Sequence, residues 1–228
     1  MKTFSVVIPV LNESERINSL IENVFSLAAD RSCEIIVVDG DDQGQTIAAV
    51  ERGDVKTAVS KAGRATQMNA GAKLAGGDVL VFLHADTELP ERAFASITRA
   101  LEDDRCVGGA FDLGVDTANV FIKAIAAVSR IRNRIMRIPY GDQAIFIRKD
   151  YFERIGMFRE IPVMEDVELM RRIRRNGDRI CILADRVKTS ARRWEKEGVV
   201  YTTIRNIILV NLFYLGVDPE KLSRYYKS

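Results

Sequence analysis

The chain has 228 residues, enough for one substantial hydrophobic core, and the expectation is a single domain over 1–228. Its 34 Lys and Arg against 32 Asp and Glu leave a net charge of +2, so no global field draws it onto nucleic acid, and partners must be read from local patches. Cys33, Cys106 and Cys181 are odd in number, far apart and beside apolar stretches. That argues against a disulfide framework or a zinc cluster and predicts buried thiols in a reducing compartment.

The opening residues enter directly into a strand-like run, without the long apolar region and small-residue cleavage site of a secretory leader, so the expected location is cytoplasmic. Four short β-rich runs, at 4–8, 34–38, 55–59 and 79–83, alternate with helical patterns at 13–29, 43–51, 65–74 and 91–101. Such alternation implies parallel strands with crossover helices and hence a three-layer open α/β/α sheet. Ligands of open sheets gather at the carboxyl ends of the strands. There Pro9-Val10-Leu11-Asn12-Glu13, Asp39-Gly40-Asp41-Asp42 and His84-Ala85-Asp86 each follow a strand, so three polar clusters are expected on one edge.

The second half reads less regularly. A strand pattern at 107–115 precedes a helix at about 118–136 and a strand at 143–148; helices at 150–156 and 165–176, short strands near 180–183 and 187–189, and a long helix at 199–215 follow. No run approaches the roughly 20 apolar residues that span a bilayer. The stretch Ile207–Val217 contains Asn211 and reads as a core or interface helix, with peripheral contact to a membrane, or to a second copy as a homodimer, as alternatives.

His84 and Asp86 alternate with Ala85 and so point the same way from their strand, a plausible seat for a metal ion or simply a strand cap and turn. Asp39 is placed to accept a hydrogen bond from a base or ribose, or to cap a loop. Arg64, in the first turn of a helix that also carries Asn69, adds a cation where a helix N-terminus already favours anions such as a diphosphate. Met164-Glu165-Asp166 begins another helix, where acids either cap or provide a general base that deprotonates an attacking hydroxyl. Tyr140-Gly141-Asp142-Gln143 lines the same edge or forms a turn, and Trp194, the single tryptophan, stacks on a sugar or anchors the last helix. Two arginine stretches, Arg130 to Arg137 and Arg171 to Arg175, are solvated helix faces or meet an anionic acceptor or lipid headgroups.

Taken in order, Val6-Val7-Ile8-Pro9-Val10-Leu11-Asn12-Glu13, Ile36-Val37-Val38-Asp39, His84-Ala85-Asp86 and Glu165-Asp166 resemble the family 2 glycosyltransferases with the GT-A fold. The stretches Gly63-Arg64 to Gly71, Tyr140 to Gln143, Met164 to Leu169 and Ser190-Ala191-Arg192-Arg193-Trp194 are similar to a small soluble branch that includes arsenosugar-biosynthesis glycosyltransferases. The resemblance implies a GT-A fold with a mostly parallel central sheet, a nucleotide-binding half at about 1–105 and an irregular acceptor-side half with C-terminal helices at about 106–228. It implies that Pro9, Glu13 and Asp39 bind the nucleoside of a nucleotide-sugar donor, with a UDP-sugar the favoured one. Arg64, Asn69, Gln143, Glu165 and Trp194 are taken as further substrate contacts. Asp86, with His84 as a second candidate, would hold Mg²⁺ or Mn²⁺ on the diphosphate, and Asp166 would be the base of an inverting transfer to a small or lipid-linked hydroxyl acceptor. Two departures count. His84 replaces the first aspartate of the family's Asp-x-Asp motif, and Ser190 stands where processive synthases carry the glutamine of Gln-x-x-Arg-Trp, which argues for transfer of a single sugar. The competing readings are a nucleotidyltransferase on a similar sheet and a non-catalytic nucleotide-binding module.

Overall fold

The computed structural model describes residues 2–29, 31–116, 139, 141–190 and 192–226. The helix expected at 118–136, Tyr140 and the Arg130 to Arg137 stretch lie outside the described residues, as do the side chains of residues 192–194.

The first half alternates as expected: β1 (Phe4–Val10), α1 (Ile17–Ala28), β2 (Cys33–Asp39), a single turn α2 (Gln45–Ala48), β3 (Lys56–Val59), α3 (Arg64–Leu74) and β4 (Val79–Phe82). A two-residue strand β5 (Thr87–Glu88) and α4 (Ala93–Ala100) follow. Strands β1 and β4 are buried along their whole length, as parallel strands covered on both faces must be. In α1, Ile17, Leu20, Ile21, Val24 and Ala28 recur at the spacing of one helix face and are all buried. Helix α3 comes so close to β1 and β2 that a Cβ on Gly71 would collide with Val7 and crowd Val38.

The second half contributes β6 (Cys106–Asp116), a 3₁₀ turn at Gly141–Gln143, β7 (Ile145–Arg148), α5 (Lys149–Arg154), α6 (Glu165–Arg175), β8 (Arg179–Ser190), α7 (Arg192–Glu197), α8 (Val199–Tyr214) and α9 (Pro219–Tyr226). The eight described strands form one sheet in the order β3-β2-β1-β4-β7-β6-β8-β5. Pairing is parallel from β3 to β4 and between β6 and β8, and antiparallel where β7 joins β4 to β6 and at β5.

Alternation along the strands sorts the core into two layers. Val7, Ile36, Leu80, Phe82, Ile145 and Ile147 face α3, α5, α6 and α8, whereas Val6, Ile8, Ile35, Val37, Val79 and Val81 face α1 and α4. On the first face Phe82, Phe152 and Phe158 pack with ring centroids 4.9 to 5.2 Å apart.

Three expectations change. The two short strands near 180–183 and 187–189 are one strand, β8, because its polar middle, Ala184-Asp185-Arg186, passes a register shift opposite Ala110 and Asp112 rather than leaving the sheet. Cys106 and Cys181 sit on the neighbouring strands β6 and β8 with Cα atoms 6.2 Å apart and are joined as a disulfide, leaving Cys33 as the free thiol. Helix α9, which no pattern in the sequence marked, returns the chain to Arg64 at the start of α3.

Candidate active site

The loops after β1 and β2 are tied together before any ligand arrives. Asp39 is fully buried, and its carboxylate accepts backbone N–H bonds from Asp41 at 3.0 Å, Thr46 at 2.9 Å and Ile47 at 3.4 Å. The Thr46 hydroxyl in turn accepts from the Glu13 N–H at 3.2 Å. Asp39 therefore organises the loop that leads into α2. Pro9 is buried within β1, and Glu13 is half-buried with its carbonyl accepting from Arg16 and Ile17 at the start of α1. Asn12 between them is left-handed at φ 57°, a strained backbone for a non-glycine residue at the end of a strand.

Gln67 is a structural member of this edge that the sequence reading passed over. It is buried, and its amide donates to the carbonyls of Val10 and Val38, both at 2.8 Å, clamping the carboxyl ends of β1 and β2 to α3. Its signal was a polar side chain one turn before Gly71, on the side of α3 that meets the sheet.

Asn69 also belongs to the scaffold. Its amide donates to the Phe158 carbonyl at 2.9 Å and accepts from the Phe158 N–H at 3.0 Å, so both polar ends are spent on one peptide unit 89 residues along the chain. Asn69 thus clamps the segment that leads into α6. Arg172 holds the same segment through the carbonyls of Ile155 and Met157 and pairs with Glu168 at 2.9 Å. Gln143 is fully buried, donates to the Phe111 carbonyl at 2.8 Å and fastens the 3₁₀ turn to β6.

These clamps deliver Glu165 and Asp166 to the sheet edge. Met164, just before α6, is left-handed at φ 69°, and Ala144, just after the 3₁₀ turn, at φ 48°. Asp166 accepts from the Gly141 N–H at 2.6 Å and from the Val167 N–H at 2.7 Å. A Cβ built on Gly141 would stand 3.2 Å from the His84 ring and 3.4 Å from Asp166 Oδ2. The His84 imidazole from the end of β4 and the Asp166 carboxylate from the start of α6 therefore converge over one glycine.

Arg64, in the first turn of α3, faces the same place. Its side chain keeps solvent exposure; partial desolvation of the guanidinium works against its charge, but Tyr226, Glu165 and Asp166 around it outweigh that and push its pKa further up. The Tyr226 hydroxyl shares a hydrogen bond with this guanidinium, which brings the last turn of α9 into the site. Glu165 is buried, and its carboxyl is pushed up to about 7 by desolvation and by the neighbouring Asp166, with Arg64 opposing. Asp166 is also raised, by desolvation, against the pull of the Gly141 and Val167 N–H groups and of Arg64. Two carboxylates side by side share one proton near neutrality. The N–H bonds favour the charged form of Asp166, so Glu165 is the member that keeps the proton.

His84 and Asp86 are both half-buried in a turn closed by Thr87 N–H to the His84 carbonyl at 3.1 Å. The Asp86 carbonyl accepts from Ser190 N–H at 3.0 Å, joining this turn to the end of β8. Asp86 also borders a cavity of about 520 Å³ that includes Arg16, Asn23, Lys188, Ser190 and Glu195. A second hollow, about 480 Å³ between Lys2, Arg31 and Arg99, lies at the amino-terminal ends of the strands, away from these groups. Trp194 falls on α7, directly after β8, with its side chain outside the described part.

Among solved structures, residues 1–349 of TarS from S. aureus in complex with UDP-GlcNAc are similar at a TM-score of 0.62 and 17% identity, over 82% of this chain and 58% of that one. Mannosyltransferase PcManGT from Pyrobaculum calidifontis in complex with GDP-Man and Mn²⁺ is similar at 0.62 and 20% identity, over 82% of this chain and 56% of that one. The chain thus spans somewhat more than half the length of either, and at these identities the likeness establishes the fold. No curated protein sequence matches the chain. Residues 5–161 match glycosyl transferase family 2, a span that runs from β1 past the 3₁₀ turn to the threshold of α6. With that match covering well over half of its length and the sheet superposing on glycosyltransferase structures, the chain belongs to glycosyl transferase family 2.

Proposed function

We propose that this chain moves a single sugar from a nucleotide-sugar donor to a hydroxyl acceptor, with Asp166 as the general base and with inversion at the anomeric carbon. The observation that carries the reading is the convergence of Asp166 and His84 over Gly141, with Arg64 facing the same carboxylate. Asp166 would take the acceptor's proton as its oxygen forms the new bond to the anomeric carbon, and the bond from that carbon to the nucleoside diphosphate breaks on the opposite face. A single base poised on the acceptor side fits one displacement and therefore inversion. Glu165, carrying the shared proton, keeps the negative charge localised on Asp166. Arg64 at the α3 N-terminus is placed to meet donor phosphate oxygens.

The donor class draws support from the bound UDP-GlcNAc of TarS and GDP-Man of PcManGT, and a UDP-sugar remains the favoured donor. The residues fit a divalent ion: the half-buried Asp86 carboxylate in the turn after β4 suits Mg²⁺ or Mn²⁺, and the His84 imidazole in the same turn would favour Mn²⁺ over the oxygen-seeking Mg²⁺. Among the described residues no three acidic, histidine or cysteine side chains gather as a cage, so Asp86 and His84 would share such an ion with substrate oxygens. When bound it would neutralise charge developing on the departing diphosphate. The acceptor is a small or lipid-linked hydroxyl compound; among the described residues no helix is long and apolar enough to cross a membrane.

Melting of the folded protein in the presence of nucleoside diphosphates and nucleotide sugars, with and without Mn²⁺, tests the donor and metal assignments, because ligands of the native state raise the melting temperature. The expected result is a Mn²⁺-dependent rise with a nucleotide sugar that Asp86→Ala abolishes. No rise with any nucleotide, in either condition, would overturn the donor assignment.

A further inference from the structure

Helix α8 is apolar on both its buried and its exposed faces. Its single charged residue, Arg205, is buried: Nη1 lies 2.7 Å from Glu197, and the guanidinium lies between the rings of Tyr201 and Tyr226, at 5.4 and 5.5 Å. Leu209 and Phe213 join the core on that side, but a second set of apolar residues points the other way. Val200, Tyr201, Ile204, Ile207, Ile208 and, just past the helix, Leu215 are all at least half exposed, up to 70% at Val200 and 81% at Leu215. Spaced at three and four residues, they form one outward stripe. Most of the exposed large apolar side chains of the described residues lie on this stripe, whereas scattered single ones are ordinary on a protein surface.

Cations flank the stripe. Arg171 of α6 lies 5.8 Å from the Tyr214 ring at the end of α8, and the exposed Arg175 stands one turn further along the same side of α6. Helix α9, packed on α8, exposes Lys221, Arg224 and Tyr225 at the spacing of one face, with Asp218 and Glu220 confined to its start. We propose that the α8 stripe is a membrane-contact surface that lies in the headgroup region of an anionic bilayer, its aliphatic side chains inserted and Arg175, Lys221 and Arg224 paired with lipid phosphates. An apolar helix face beside basic and tyrosine side chains is the arrangement that such an interface retains. A second copy of the chain is disfavoured as occupant, because the same cations would repel their counterparts, and no charges of opposite sign on the stripe would set a register between two helices.

The surface can be tested without any transfer assay, so it stands or falls apart from the function proposed above. The full chain is sedimented with vesicles of phosphatidylcholine alone and of phosphatidylcholine mixed with phosphatidylglycerol. The expected result is binding to the mixed vesicles only, released by salt, with Ile204→Glu plus Ile208→Glu lowering affinity by about tenfold or more at an unchanged melting temperature. Lys221→Glu plus Arg224→Glu, on exposed positions, should weaken binding to the mixed vesicles in the same assay. Failure of the wild-type chain to bind the mixed vesicles would overturn the proposal. So would a wild-type dimer that the isoleucine variant splits without any vesicle binding, which would make a second copy the occupant. A lowered melting temperature in that variant, with no vesicle binding by the wild type, would show that the chain covers its own stripe.

Discussion

Gly141 lacks a side chain where two others need its space. Its N–H holds Asp166 at 2.6 Å, and its Cα faces the His84 ring, so an added methyl would press on the histidine and the carboxylate together. Gly141→Ala should therefore reduce transfer by about tenfold or more through misplacement of the base, while changing the melting temperature little, since the contacts are ones the two side chains can yield by a few tenths of an ångström. Transfer at the wild-type rate would show that this close approach is unimportant. Glu165 offers a separate test through pH. The folded protein holds its proton up to about pH 7, whereas an ordinary glutamate releases it near 4.5. This site's contribution to stability is thus complete below about pH 4.5 and is lost as pH rises to about 7. Glu165→Gln should flatten that part of the stability profile in urea unfolding of the free protein; an unaltered slope would assign the proton elsewhere.

At the scale of elements, the site depends on how the segment before α6 is held. Asn69 on α3 meets the Phe158 peptide with both ends of its amide, beside the ring cluster of Phe82, Phe152 and Phe158. Asn69→Ala leaves a buried N–H and a buried carbonyl without partners and should cost roughly 2 to 4 kcal/mol in urea unfolding. A loss below about 0.5 kcal/mol would mean that water or a shifted backbone replaces the clamp. This is also where sequence and structure part company. The apolar runs made the strands and the crossover helices legible, because burial on both faces and helical spacing each leave a periodic trace. The direction of a polar side chain leaves none. Asn69, Gln143 and Asp39 each bond backbone far along the chain or across a loop, and nothing in the order of residues marks those bonds. The start of α6 at Glu165 was legible because acids gather in the first turn of a helix.

Over the whole molecule, distant parts of the chain meet at one edge. The turn after β4 supplies His84, α3 supplies Arg64, the start of α6 supplies Asp166, and the last turn of α9 supplies Tyr226. The pairing of Cys106 with Cys181, 75 residues apart, and the return of α9 depend on packing between halves and left no local pattern to read. The alternating first half, by contrast, announced the sheet because each strand and helix is defined within a few residues. The central claim is that this gathered edge transfers a sugar with Asp166 as its base. Single-turnover transfer by Asp166→Asn, with donor binding followed in parallel, tests it most directly. The account predicts donor affinity close to wild type and transfer reduced by about a hundredfold or more. Transfer at near the wild-type rate with donor bound would contradict it.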